Sequence, residues 1–127
     1  MELTMQYADC EAEDLPVGEE EITTGYMGDC VSIIVAWDAD NGRYGSMRGF
    51  HGFGAFGNIY LDSLFNGVPL TTETRVFLCM GSLSRHSRAE RRRMERESWR
   101  WAGSTVEWPE GTSTNIRVDR FGSVSFV

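Results

Sequence analysis

Lysine is missing from this chain: all 12 basic residues are arginine. That one-sided choice reads as the coding bias of a GC-rich genome rather than as a functional device. Long apolar runs are missing too. No stretch approaches the roughly 20 apolar residues of a membrane span. The opening Met1-Glu2-Leu3-Thr4-Met5 has neither the basic nor the apolar region of a cleavable export signal. These absences predict a cytoplasmic protein, or one exported without a cleavable signal, and no membrane partner. Cysteine is scarce. Three residues at 10, 30 and 79, an odd number at wide spacing, exclude a disulfide framework and a CxxC-type zinc site. Nothing in the chain calls for a metal or a cofactor. Positive charge is not in excess either, and a net charge of −7 argues against sequence-independent nucleic-acid binding.

What is present is enough for one domain, residues 1–127, with an ordinary apolar fraction and a real core. The charge is segregated. Residues 1–21 carry eight acids and no base and read as an acidic, mobile N-terminal segment, whereas residues 85–100 carry seven arginines against three glutamates. Either the acidic segment lies near the arginine-rich helix, or the two blocks are exposed partner surfaces. β-Branched content predicts strands at 22–24 and 30–37. Asn41-Gly42 is the strongest short hairpin signal and predicts a return strand over 43–51. Residues 52–57 are a glycine-rich loop, and 58–65 a short helix closed by Asn66-Gly67. A buried strand is expected at 74–80, a helix at 87–101, a strand at 105–108 and a terminal hairpin at 115–127. Mostly strands with two helices means an α+β fold.

The hairpin turn fixes a register. Pairing Asp40 with Arg43 makes partner numbers sum to 83, so Ser32 faces His51 and Cys30 faces Phe53. All four then share one face. Cys30 and His51 become diagonal neighbours, roughly 7–8 Å apart at Cα. A bulge of one residue would separate them. A thiol activated by imidazole is a nucleophile near neutral pH, and the imidazole needs an orienting group. Thr24, six residues before Cys30 across a Gly25…Gly28 turn, offers its hydroxyl or its carbonyl.

These residues resemble a family. Gly28-Asp29-Cys30-Val31, a strand ending in Trp37-Asp38, a Gly…His return and a following short helix look like the CheD chemoreceptor glutamine deamidases. Arg75 to Ser82 resembles that family's strand running into a glycine pair. The catalytic domain of the cytotoxic necrotizing factors is similar in fold and in its Cys-His chemistry. The resemblance covers residues 22 to about 83. It implies a CheD-like sandwich of mixed β-sheets flanked by helices. It also implies a bacterial protein-glutamine deamidase, related to chemotaxis or acting as an effector, with a protein substrate. Cys30 would be the nucleophile, His51 the base and Thr24 the orienter. Backbone N–H groups near Gly28 and Asp29 would hold the oxyanion, and the bend at Gly52 would let the substrate approach. Asp29 stands where the family has serine. A carboxylate there raises the thiol pKa unless its charge is paired, and Arg48 is the expected partner. The helix at 84–103 has no counterpart in the family.

The alternative is a catalytically silent deamidase-like fold that binds a partner protein through its arginine-rich helix. Arg91, Arg92, Arg93 and Trp99 would carry that binding, whereas Met94 and Trp101 form a buried stripe. Cys79, in the run Val76-Phe77-Leu78-Cys79-Met80, reads as core, and Cys10 has no expected role. The glycines at 49, 52, 54 and 57 fit no phosphate-binding spacing. Oligomeric state is open at this level.

Overall fold

A computed structural model describes residues 2–4, 12–27, 31–52, 58–80, 85–109 and 115–127. Two mixed sheets face each other. The five-stranded sheet contains β2 (Glu13–Asp14), β4 (Val31–Asp40), β5 (Arg43–Gly52), β6 (Arg75–Met80) and β7 (Thr105–Glu107), in the order β2-β5-β4-β6-β7. The four-stranded sheet contains β1 (Glu2–Thr4), β3 (Glu21–Thr23), β8 (Ile116–Asp119) and β9 (Val124–Phe126), in the order β1-β3-β8-β9. The helices are α1 (Asn58–Phe65) and α2 (Arg85–Arg96), the latter followed by a 3-10 turn at Ser98–Trp101. The β6–β7 and β1–β3 pairs are parallel; the other pairs are antiparallel. The fold is therefore α+β with two sheets.

The Asn41-Gly42 turn organises the centre. Asn41 and Gly42 have φ of 54° and 79°, so both sit in the left-handed region that this tight turn requires. The ladder then runs from Asp40–Arg43 to Val31–Gly52 with every pair summing to 83. Asp38, at φ 59°, interrupts the pairing locally without shifting the register. No net bulge intervenes between the turn and the Ser32–His51 pair.

Period-two alternation splits the core. Val31, Ile33, Val35, Phe50, Val76 and Leu78 face the helices and pack on Leu61, Leu64, Val68, Met94 and Trp101. Ile34, Ala36, Met47, Phe77 and Cys79 face the second sheet and pack on Leu15, Ile22, Met27, Ile116 and Val118. Among the described residues the helices thus cover one outer face only. Met94 and Trp101 are buried as the stripe predicts, and Trp99 lies off it, 65% exposed. The single helix expected over 87–101 breaks at Glu97, whose N–H is shared between the Arg93 and Met94 carbonyls. From there the bonding tightens to i→i−3, with Arg100 N–H on Glu97 O and Ala102 N–H on Trp99 O.

Part of the acidic segment lies outside the described residues. Its described part contributes two strands: β1 lies parallel to β3, and β2 pairs with β5. Its acids meet arginines of the sheets. Asp14 pairs with Arg48 at 2.6 Å, Glu20 with Arg43 at 2.9 Å and Glu21 with Arg117 at 3.4 Å. Arg48 is directed to the helix side of the sheet. Its Nη1 donates to the carbonyls of Ser63, Leu64 and Asn66, and its guanidinium stands 5.1 Å from the Trp37 ring centroid. It closes the C-terminus of α1, where carbonyls lack intrahelical donors and a cation is favoured. Asp29, the partner expected for Arg48, lies outside the described residues.

Candidate functional site

Three segments converge between the sheets, and each is fixed by its own strand chemistry. β5 brings His51, which is 4% exposed and pairs across the ladder with Ser32 of β4. Thr24 follows directly on β3 and is fully buried. Its N–H donates to the Ile116 carbonyl at 2.9 Å. Its hydroxyl accepts from the Ile116 N–H at 3.0 Å and donates to the Gly25 carbonyl at 2.8 Å. Gly25 then turns the chain at φ 75°, and its N–H is held by Asn115 Oδ1 at 3.1 Å. So clasped, the Thr24 carbonyl meets His51 Nδ1 at 2.6 Å.

A carbonyl oxygen only accepts, so the proton of the neutral ring sits on Nδ1. Nε2 is left as the basic nitrogen. Burial lowers the His51 pKa below its usual 6.5, and the bond to the Thr24 carbonyl opposes that shift in part. The ring is thus neutral, with a fixed tautomer and a fixed orientation, which is the state a general base needs. Between hydroxyl and carbonyl, the structure selects the Thr24 carbonyl as the atom that orients the ring; the hydroxyl holds Thr24 itself.

Gly28, Asp29 and Cys30 lie outside the described residues, as do Cys10, the loop at 53–57 and Gly81-Ser82. Gly52 ends β5 with Val31 as its Cα partner. Cys30 precedes Val31 in the chain. Among the other thiols, Cys79 is fully buried across from Ser32. Burial pushes its pKa well up, and its S–H points to the Phe77 carbonyl at 3.7 Å. Such a thiol is inert at neutral pH.

The arginine group stands apart from His51, on the helix-covered side of the central sheet. Arg91 stacks over the Trp108 ring, 4.6 Å from its centroid, and pairs with Glu95 at 3.5 Å. Arg92 is exposed and Arg93 half-buried. Exposed Trp99 is covered on one face by Arg100, 4.4 Å from its centroid, which also pairs with Asp62 and Glu97.

Asn115 and Arg120 gained roles that their sequence context did not announce, and Ser32 stands where the hairpin register puts it. Asn115 caps the turn at Gly25. Ser32 places a fully buried hydroxyl directly across from His51, and that hydroxyl has no hydrogen-bond partner among the described residues. Arg120, in the turn of the terminal hairpin, is 3% exposed and donates to four carbonyls: Glu19, Tyr44, Gly45 and Pro16. Among the described residues no three His, Cys, Asp or Glu side chains group to hold a metal ion, and no helix is long and apolar enough to cross a membrane. No protein-family model matches the chain, and no curated protein matches it in sequence.

Proposed function

We propose that this chain is a thiol-dependent amidohydrolase, a protein-glutamine deamidase of the CheD-like type, using Cys30, His51 and Thr24. One observation carries the reading: His51 is buried, neutral and held through Nδ1 by the Thr24 carbonyl, one ladder step from Val31, the residue after Cys30. A buried imidazole oriented through one ring nitrogen, with the other as its basic nitrogen, is the arrangement that activates a thiol.

In this reading His51 Nε2 takes the Cys30 proton, and the thiolate attacks the carbon of a glutamine side-chain carboxamide. Backbone N–H groups near Gly28 and Asp29 receive the oxyanion. The C–N bond breaks, ammonia leaves with the proton from His51, and a thioester remains. Water deprotonated by His51 attacks the thioester, releases the glutamate side chain and returns the proton to the thiol. The bend at Gly52 admits the substrate, which belongs to a protein partner.

Alkylation by iodoacetamide near pH 7 tests this, because its rate follows the thiolate fraction. Cys30 is expected to react faster than Cys10 and Cys79, and His51→Ala to slow Cys30 selectively. Equal, slow labelling of all three cysteines would sink the reading. The exposure of Trp99 favours a second reading, in which the fold is silent and docks a partner through Arg91, Arg92, Arg93 and Trp99. Charge reversal at 91–93 then abolishes partner capture with the fold intact.

A further inference from the structure

We propose that β9 is an edge built for pairing with a second copy of this chain. The four outer strands of the two sheets are β1, β2, β7 and β9. Three of them include acids: Glu2 in β1, Glu13 and Asp14 in β2, Glu107 in β7. Charges on an edge strand keep other strands away. Residues 121–127, Phe-Gly-Ser-Val-Ser-Phe-Val, contain no charged side chain. They expose Phe121, Phe126 and Val127 at 58, 49 and 53%. In a chain that is 24% charged, that leaves this edge without a charged side chain of its own, and among the described residues no strand pairs with it beyond β8.

The hydrogen-bond phase shows what the edge offers. Val127 N–H donates to Asn115 O, and Asp119 N–H to Ser123 O. Residues 123, 125 and 127 are therefore those bonded to β8, and the N–H and C=O of Val124 and Phe126 point away from it. This outward set is self-complementary. Two β9 strands related by a two-fold axis through Ser125 bring Val124 of each copy opposite Phe126 of the other. Four backbone hydrogen bonds then form, and the two sheets join into one. The partner's Phe126 falls beside Val124, over the cleft of about 270 Å³ lined by Glu107, Trp108, Pro109, Val124 and Phe126. A net charge of −7 on each copy opposes the approach at long range, so added salt strengthens the pairing.

Sedimentation equilibrium of the purified full chain from micromolar to millimolar concentration tests the proposal, with amide exchange read in the same samples. The mass is expected to rise from monomer to dimer, more readily at high salt. The Val124 and Phe126 amides should gain protection as it does, whereas the Ser125 amide is protected throughout. Val124→Pro deletes two of the four intermolecular bonds but none to β8, and weakens dimerisation about thirtyfold at roughly 1 kcal/mol per bond. Phe126→Lys blocks the edge by charge, and near-ultraviolet circular dichroism confirms that both variants are folded. A mass that stays monomeric over the whole range overturns the proposal. So does a dimer that neither folded variant weakens, or one that forms without slowing the Val124 and Phe126 amides.

Discussion

Replacing Arg120 by alanine should be the most damaging single change outside the two apolar cores. The guanidinium is 3% exposed and donates to Glu19 O at 2.8 Å, Gly45 O at 2.9 Å, Pro16 O at 3.1 Å and Tyr44 O at 3.3 Å. It joins the β2–β3 connection, the start of β5 and the β8–β9 turn. Hydrogen bonds from a charged donor contribute about 1.5–3 kcal/mol each, but bonds that share one donor group do not add. Removing the charge also lifts a desolvation penalty of several kcal/mol. The balance for a broken buried network is a loss of about 3–5 kcal/mol. A chain of this length has a total stability of roughly 6–19 kcal/mol. The melting temperature should therefore fall by about 10–20 °C. Urea unfolding followed by tryptophan fluorescence measures it, with an unchanged m-value as the sign that the denatured state is not involved. Arg120→Lys should recover only part of the loss, because one ammonium cannot reach acceptors spread around a planar fork. A loss below about 1 kcal/mol for Arg120→Ala would refute the reasoning, since it would mean that water replaces the guanidinium at all four carbonyls.

Further predictions concern the site and the turns. His51 has a lowered pKa in the folded state, so below about pH 6.5 the unfolded chain binds a proton that the native chain refuses. Its contribution to stability is present above pH 6.5, is lost as the pH falls toward the folded pKa, and levels off below that. The difference in unfolding free energy between the protein and His51→Gln, measured from pH 8 to 5, should show that slope, and a slope of opposite sign would contradict the buried neutral ring. Ser32→Ala removes a hydroxyl that has no partner among the described residues, so stability should change by less than about 1 kcal/mol; a loss above about 2 kcal/mol would reveal a bond to that hydroxyl. Gly122 has φ of 77°, and a Cβ there would collide with the Arg75 guanidinium, a side chain pinned by Glu107 and by the Phe77 ring. Gly122→Ala should cost about 1–3 kcal/mol, and an unchanged melting temperature would show that Arg75 moves freely aside.

The Asn41-Gly42 turn made the centre of the fold legible in the sequence, because a two-residue turn with both residues at positive φ leaves one register for the strands it joins. The Ser32–His51 pairing followed from arithmetic on that turn. The β2 pairing was not legible, since Glu13 and Asp14 have little strand propensity and are held by their contact with β5 and by Arg48. Arg48 itself is adjacent in the ladder to residues near the thiol strand, but alternation puts it on the helix side. Local sequence cannot decide which face of a two-sided sheet meets which layer. Arg120 was hidden for a related reason: turn composition predicts exposure, and only the assembled sandwich brings four carbonyls around it. For the site, Thr24 was legible as a neighbour of His51. Which of its oxygens faces the ring depends on Ile116, far along the chain.

That last dependence bears on when the protein matures. Asn115 and Ile116 grip Gly25 and Thr24 across separations of 90 and 92 residues. A nascent chain emerging from the ribosome presents Thr24 and His51 long before the strand that clasps Thr24 has been synthesised. Until then the imidazole has no fixed acceptor and no assigned tautomer. The strand that fixes the imidazole is translated far behind Thr24 and His51, so a product halted before it carries both residues without the ring alignment.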